Sequence, residues 1–366
     1  MSTSISQYGG GGSSIILSAA IDNIALAQET NTWQTSADTL SETYAGLGDS
    51  RATAISLNPK ITQVAAWQTN ITNAQTTLSV TSTALTQIVS LAQSLSTSLT
   101  SVTGTSSETA VGTVVEDAQG LLSELATTLN TTSGSSYVFA GQNSTEAPIT
   151  DTSTIGDSSI AGSLASAIAT AVSGLTATNS SDVLEEATAA SDPSSSAAAT
   201  SVFSSDLSVS ATAASDLRSS VVTGESATTV GVVATQASTT SSESSTSTGS
   251  PIRDLIRDLM VVSSMSGMSS ETSGYTDLVT ELNTSLTTTI GQLTDMEAQV
   301  GVEQSNLTSR ATMLTSVTTM LTDQLGDARD ADLAVAATTA TTLKTQLSAS
   351  YSLVADMKGM TLASYL

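Results

Sequence analysis

From Ile71 to Val102 the chain places an apolar side chain at every third or fourth position: Ile71, Ala74, Leu78, Leu85, Ile88, Ala92, Leu95, Leu99 and Val102, with Thr81 the polar member of the series. Steps that alternate three and four gather these residues on one face of an α-helix and sustain the pattern over more than four heptads. This spacing predicts a long helix that buries one stripe in a bundle or coiled coil. The stretch from Ile61 to Ser107 carries no charge, yet its Ser, Thr, Gln and Asn are too frequent for a membrane span. A second helix follows, with Val114, Ala118, Leu121, Leu125 and Leu129 in register and Leu122 widening its face.

The C-terminal side mirrors the first pattern. Leu282, Leu286, Leu293, Val300, Leu307, Leu314 and Leu321 share one position, mostly seven residues apart, and Met296 and Val317 fill the companion position. Glu303, Arg310 and Gln324 interrupt that seam. A last helix is expected over Asp332–Leu366, with Ala336, Ala340, Leu343, Leu347, Tyr351, Val354 and Met357 on one side. Residues 150–250 differ, being dominated by Ser, Thr, Ala, Val and Gly; ASTTSSESSTSTGS (237–250) reads as a low-complexity linker. Helix restarts at Ser250-Pro251, an N-cap followed by proline at the first helical position.

The fold class expected is mainly α: long coiled-coil-like helices from both chain ends form a helical bundle, with a Ser/Thr-rich, β-rich or mixed domain inserted in the middle. The division expected is 1–45 with 330–366 as terminal helices, 46–149 with 251–329 as the bundle, and 150–250 as the insert. The terminal segments are amphipathic and would leave an apolar stripe uncovered in an isolated chain, so burial against other copies is the natural outcome.

Composition narrows the function. There is no Cys and no His, which removes thiolate chemistry, disulfides and the commonest base and metal ligand. No Ser-His-Asp triad can form, and Lys60, Lys344 and Lys358 are isolated in sequence, so an enzyme is not expected. Net charge is -24, with no Lys or Arg between Lys60 and Arg218, which argues against nucleic acid as a partner. Ser and Thr supply roughly a third of the chain, far above ordinary usage, as in exported surface proteins. The first 30 residues lack a basic n-region and an apolar h-region, and no transmembrane helix is expected. Asp327, Asp330 and Asp332 lack the spacing of a calcium loop and read as acids at a helix N-terminus. Gly9–Gly12 reads as a tether, and Arg253-Asp254 with Arg257-Asp258 as a solvated helix face or an ion pair between subunits. Trp33 and Trp67 read as packing residues, and Met260, Met265, Met268, Met313 and Met320 as helix-face fillers. No catalytic, metal or cofactor site is expected.

Three segments resemble bacterial flagellins and the related hook-associated protein of the hook–filament junction. The first is Asp330-Ala331-Asp332-Leu333-Ala334 followed by QLSASYSLVADMKGMTLASYL (346–366), similar to the family's terminal helix. The second is LNTTSGSSYVFAGQNSTEAP (129–148), similar to its turn before the variable region. The third is ALTQIVSLAQSL (84–95) in the helical core. The resemblance spans about 1–148 and 252–366. It departs at Thr43–Ser50, where the family's usual Ser-Asp-Asp-Pro loop is replaced, as in divergent alphaproteobacterial members. Tyr137–Gly141 leans toward the junction protein, so filament and junction both stay open; a secreted Ser/Thr-rich surface adhesin is the alternative of another class.

The resemblance implies an extracellular structural subunit, exported unfolded and assembled into a helical homopolymer for swimming. Implied partners are other copies of the chain, flagellar cap and hook-associated proteins, the flagellar export apparatus and an export chaperone on the C-terminal helix. Nucleic acid and membrane insertion are not implied. The residues expected to carry packing and assembly are Ile71, Leu78, Leu85, Ile88, Leu95, Leu99, Leu293, Val300, Leu307, Leu314, Leu321, Leu343, Leu347, Tyr351, Tyr365 and Leu366.

Overall fold

A computed structural model describes residues 9–359, with side chains from Ile15 to Asp356. In chain order the elements are α1 (Gly9–Ala37), α2 (Arg51–Val102), α3 (Glu108–Leu129), β1 (Thr132–Ser133), β2 (Ser136–Tyr137), α4 (Leu164–Ser173), α5 (Ser180–Ser191), α6 (Ala211–Ser215), β3 (Ser219–Val222), β4 (Ala227–Val230), β5 (Glu243–Ser244), β6 (Ser247–Thr248), α7 (Pro251–Ser263), α8 (Tyr275–Arg329) and α9 (Leu333–Gly359). The fold is mainly α, with long helices from both ends of the chain and small antiparallel hairpins in the middle. It divides into two compact units, residues 1–66 with 314–366, and residues 67–313.

In the first unit, α1 packs antiparallel on α9. Leu40 N donates to the Arg329 carbonyl at 2.7 Å, Ala331 N donates to the Asp38 carbonyl at 3.3 Å, and the buried Asn31 Nδ2 donates to the Ala336 carbonyl at 2.8 Å. α1 ends because Asp38 turns left-handed, at φ 56°, a conformation in which Asp is among the few tolerated side chains. The chain then passes through a 3₁₀ turn, Tyr44–Ser50. Leu47, Ala54 and Leu57 close a small core with Leu325 and Ala328, and half-buried Ile61 and Leu321 pack against it.

In the second unit the heptad reading meets its core. Ile71, Leu85, Ile88, Leu95 and Leu99 have no exposed surface and Leu78 has 1%, while Leu293, Val300 and Leu307 on α8 are buried. Polar rungs tie the two helices antiparallel: Gln75 to Thr308, Thr86 to Glu297 and Thr100 to Asn283. Thr81 is tolerated in the seam because its hydroxyl donates to the Thr77 carbonyl at 2.9 Å. Two polar interruptions of the α8 seam, Glu303 and Arg310, are attachment points for the β3–β4 hairpin, whereas Gln324 is exposed. Glu303 pairs with Arg218 and accepts from Gly231 N at 2.9 Å, and Arg310 Nε donates to the Thr223 carbonyl at 2.8 Å. Gly141, within the Tyr137–Gly141 segment, has φ 67°, and a Cβ there would lie 2.3 Å from the Leu217 carbonyl oxygen.

Several expectations are corrected. The middle, expected to be β-rich or mixed, is mixed: α4–α6 come first and the short β3–β4 and β5–β6 hairpins follow. Residues 237–250 are no linker. They carry the β5–β6 hairpin, and Ser238, Thr248 and Ser250 are buried. The cause is that most of its polar groups find partners in place of water, the buried Ser250 hydroxyl being an exception. The Ser241 hydroxyl donates to the Gly249 carbonyl at 2.6 Å, and Thr248 donates its N–H and hydroxyl to Asp254 at 2.9 and 2.8 Å. Met313 and Met320 are 54% and 51% exposed, whereas Met260 and Met265 are buried.

Candidate assembly interface

The α1–α9 pair holds the most exposed apolar surface in the first unit. On α9 the apolar residues form three parallel stripes, because residues 18 apart lie five turns apart on the same line. The middle stripe, Ala336, Leu343, Leu347 and Val354, faces inward; Leu343 is buried, and Leu347 and Val354 are half-buried. Tyr351, expected on that side, lies 60° round the helix on a flanking stripe with Leu333, and the two are 56% and 48% exposed. The opposite flank carries Val335 at 59% and Leu353 at 52%. On α1, Ile15, Leu26 and Trp33 form an outward stripe, exposed at 71%, 61% and 36%. The inward side of α1 is instead modestly polar, with Asn31 and Gln28 beside Ile24 and Ile21.

Leu314 is buried and Leu321 half-buried, the latter against the Leu47 core. Tyr365 and Leu366 lie outside the described residues. Asp332 caps α9, its Oδ1 accepting from Ala334 N and Val335 N at 2.9 and 3.1 Å, whereas Asp327, read with it as an N-terminal acid, lies in the last turn of α8 and Asp330 pairs with Arg329. Trp33 Nε1 donates to Thr39 Oγ1 at 2.9 Å, so the ring is anchored although it is partly exposed.

The second unit contains a site that the sequence reading misplaced. Arg253-Asp254 and Arg257-Asp258 are not solvated: all four are at most 2% exposed, as are the apolar residues between them on α7. Arg257 donates from Nη2 to Asp258 Oδ1 at 2.8 Å and to Ser285 Oγ at 2.7 Å, and from Nη1 to Thr188 Oγ1 and the Thr246 carbonyl, both at 2.8 Å. Ser285 in turn donates to Asp258 Oδ2 at 2.7 Å. Arg253 donates to the Leu207 and Val209 carbonyls and stacks over Phe203, 5.7 Å from the ring centroid. Burial lowers the Arg253 pKa to about 10, with Asp192, Asp254 and Glu243 opposing. Burial raises the Asp258 carboxyl above the usual range against the pull of Arg257. The four charges share one face of α7, which helical periodicity reads as solvent-facing, so no local signal in the sequence marks them as buried. Arg257 is paired with Asp254 and Asp258, whereas Arg253 meets only carbonyl oxygens and its Nη1 has no hydrogen-bond partner. The Arg257 network ties α5, the β5–β6 hairpin and α8 to α7. Among the described residues no group of three acidic, His or Cys side chains is arranged to hold a metal ion, and no helix is long and apolar enough to cross a membrane.

Residues 284–366, most of α8 and all of α9, match the family model described as the bacterial flagellin C-terminal helical region. No curated protein matches the chain.

Proposed function

We propose that this chain, which belongs to the bacterial flagellin family through its C-terminal helical region, is the subunit that polymerises into the flagellar filament. The family is one of structural proteins, which supports a structural subunit of the flagellum. The observation that carries the filament reading is the three-striped face of α9, of which α1 covers only the middle. Leu333, Val335, Tyr351 and Leu353 remain about half exposed, and full burial of such side chains contributes roughly 1.5–3 kcal/mol each. Two flanks on one helix ask for two neighbours, and a contact between unlike surfaces propagates into a helical polymer instead of closing a dimer.

In this reading residues 1–45 and 330–366 form the filament core, 46–149 and 251–329 the surrounding bundle, and 150–250 the outward insert. The heptad residues from Ile71 to Leu99 and from Leu293 to Leu321 hold the subunit together. Leu343, Leu347, Tyr351, Tyr365 and Leu366 serve assembly. Its other partners are the cap and hook-associated proteins, the export apparatus, and a chaperone that covers the C-terminal helix before export. The chain acts outside the cell, for swimming. Deleting Ala331–Leu366 should abolish polymerisation while the helices of residues 67–313 stay folded by circular dichroism; normal filaments from that truncation refute the reading. A second reading, the hook–filament junction protein, is favoured by Tyr137–Gly141. Electron microscopy separates the two: long filaments of the purified protein support the first, and labelling confined to the hook–filament boundary supports the second.

A further inference from the structure

The outward stripe of α1 is acidic as well as apolar. Asp22 and Glu29 lie on the same line as Ile15, Leu26 and Trp33, and both are exposed. The flanking stripe of α9 that carries Leu333 and Tyr351 instead contains Lys344, which is also exposed. Asp22 and Lys344 form no ion pair in the structure. Lys344 is one of only nine cationic side chains set against 33 acidic ones. Arg218, Arg257 and Arg329 are already engaged with carboxylates.

The two stripes match in length and level. Ile15 to Trp33 and Leu333 to Tyr351 each span 18 residues, about 27 Å of helix. Asn31 bonds to Ala336, so those residues are level. The helices are antiparallel, and Asp22 lies nine residues before Asn31 while Lys344 lies eight after Ala336. The two charges therefore stand at nearly the same height on different helix faces. Copies related by a filament axis keep their helix directions, so α1 of one copy meets α9 of the next in the same antiparallel sense.

We infer that the acidic α1 stripe of one subunit docks on the basic α9 stripe of its neighbour, with Ile15 against Tyr351, Asp22 against Lys344 and Trp33 against Leu333. This rests on the polymerisation reading above. The apolar ends supply the burial, and the central charge pair fixes register and excludes pairing of like stripes, since α1 on α1 opposes acids.

The test uses the full chain and measures critical concentration for polymerisation by pelleting and electron microscopy. Asp22→Lys and Lys344→Glu should each raise it about fivefold at low salt, as an exposed pair turned repulsive would, and the defect should shrink in 1 M salt. The double variant D22K/K344E should return near wild type. So should an equimolar mixture of the two single variants, because each then offers the stripe its neighbour needs. Three results overturn the inference: single variants that polymerise normally, defects that neither the double variant nor the mixture relieves, or rescue by the double variant without rescue by the mixture, which would put the pair within one chain. A wild-type chain that never polymerises overturns the filament reading beneath it instead.

Discussion

Replacing Arg257 by Met tests whether α7 is held by its charges. Arg257 has no exposed surface and is the cation shared by Asp258 and Asp254. Met fills most of the volume and removes the charge. Asp258 is then left buried with the Ser285 hydroxyl as its remaining partner, and Thr188 Oγ1 and the Thr246 carbonyl each lose a donor. Breaking one side of a buried pair costs about 3–5 kcal/mol, because the surviving charge stays desolvated. With a slope of roughly 2–3 kcal/mol per molar urea, the unfolding midpoint of the unit that contains α7 should fall by about 1–2 M.

The pH dependence carries the sign. Burial holds the folded-state pKa of Asp258 above its unfolded value, and loss of Arg257 removes the group that pulls it down. An acid with a raised folded pKa weakens folding above its unfolded pKa, and the penalty is relieved as pH falls through the folded value. The variant's deficit should therefore shrink as pH is lowered from 7 toward 5, by at most about 1.4 kcal/mol per pH unit. R257M/D258L should recover part of the loss, because the orphaned carboxylate is gone. Urea titrations followed by circular dichroism at several pH values measure this. A midpoint shift below about 0.3 M, or a deficit that does not change with pH, would refute the reasoning.

Two smaller substitutions probe local geometry. Gly141→Ala forces a Cβ into a left-handed backbone position 2.3 Å from the Leu217 carbonyl oxygen, and it should cost about 2 kcal/mol or more. The urea midpoint reads that loss, and hydrogen exchange should show the Gln142 amide, now bonded to Leu217 at 2.9 Å, losing protection. Asn31→Ala removes the buried side-chain bond between α1 and α9 and should cost about 1 kcal/mol, seen as an earlier thermal transition in the terminal helices.

The heptad face of α2 was legible because Ile71 through Leu99 recur at helical spacing over several turns, and the helix buries them, with Ala84, Val89 and Leu91 widening the buried face. The α9 reading was half right for a geometric reason. Tyr351 is apolar and near the inward line, but 60° of rotation is enough to put it on a flank that this chain leaves uncovered. The α7 charges were misplaced because sequence patterns price an Arg-Asp dipeptide as solvated. The structure instead supplies partners for Arg257 and its carboxylates from residues 69 positions before (Thr188) and 28 after (Ser285). The stretch 237–250 failed for the same reason, since hydroxyls that signal a solvated linker also serve as donors to a buried Asp254. Contacts so distant in sequence leave no local periodicity to read. The family resemblance at 330–366 was carried by side-chain identities rather than by periodicity, and the match at 284–366 covers those residues.

The placement of α7 sets an order of events for any chain that arrives end first. Its thirteen residues come after α3, α4 and α5, against which it packs, yet its charges are not satisfied until Ser285 arrives. A partly delivered chain ending anywhere from Asp258 to Thr284 would have to bury a guanidinium and two carboxylates without the Ser285 hydroxyl that both Arg257 and Asp258 use. The hydrogen-bond network of α7 can therefore be completed only once the start of α8 has emerged.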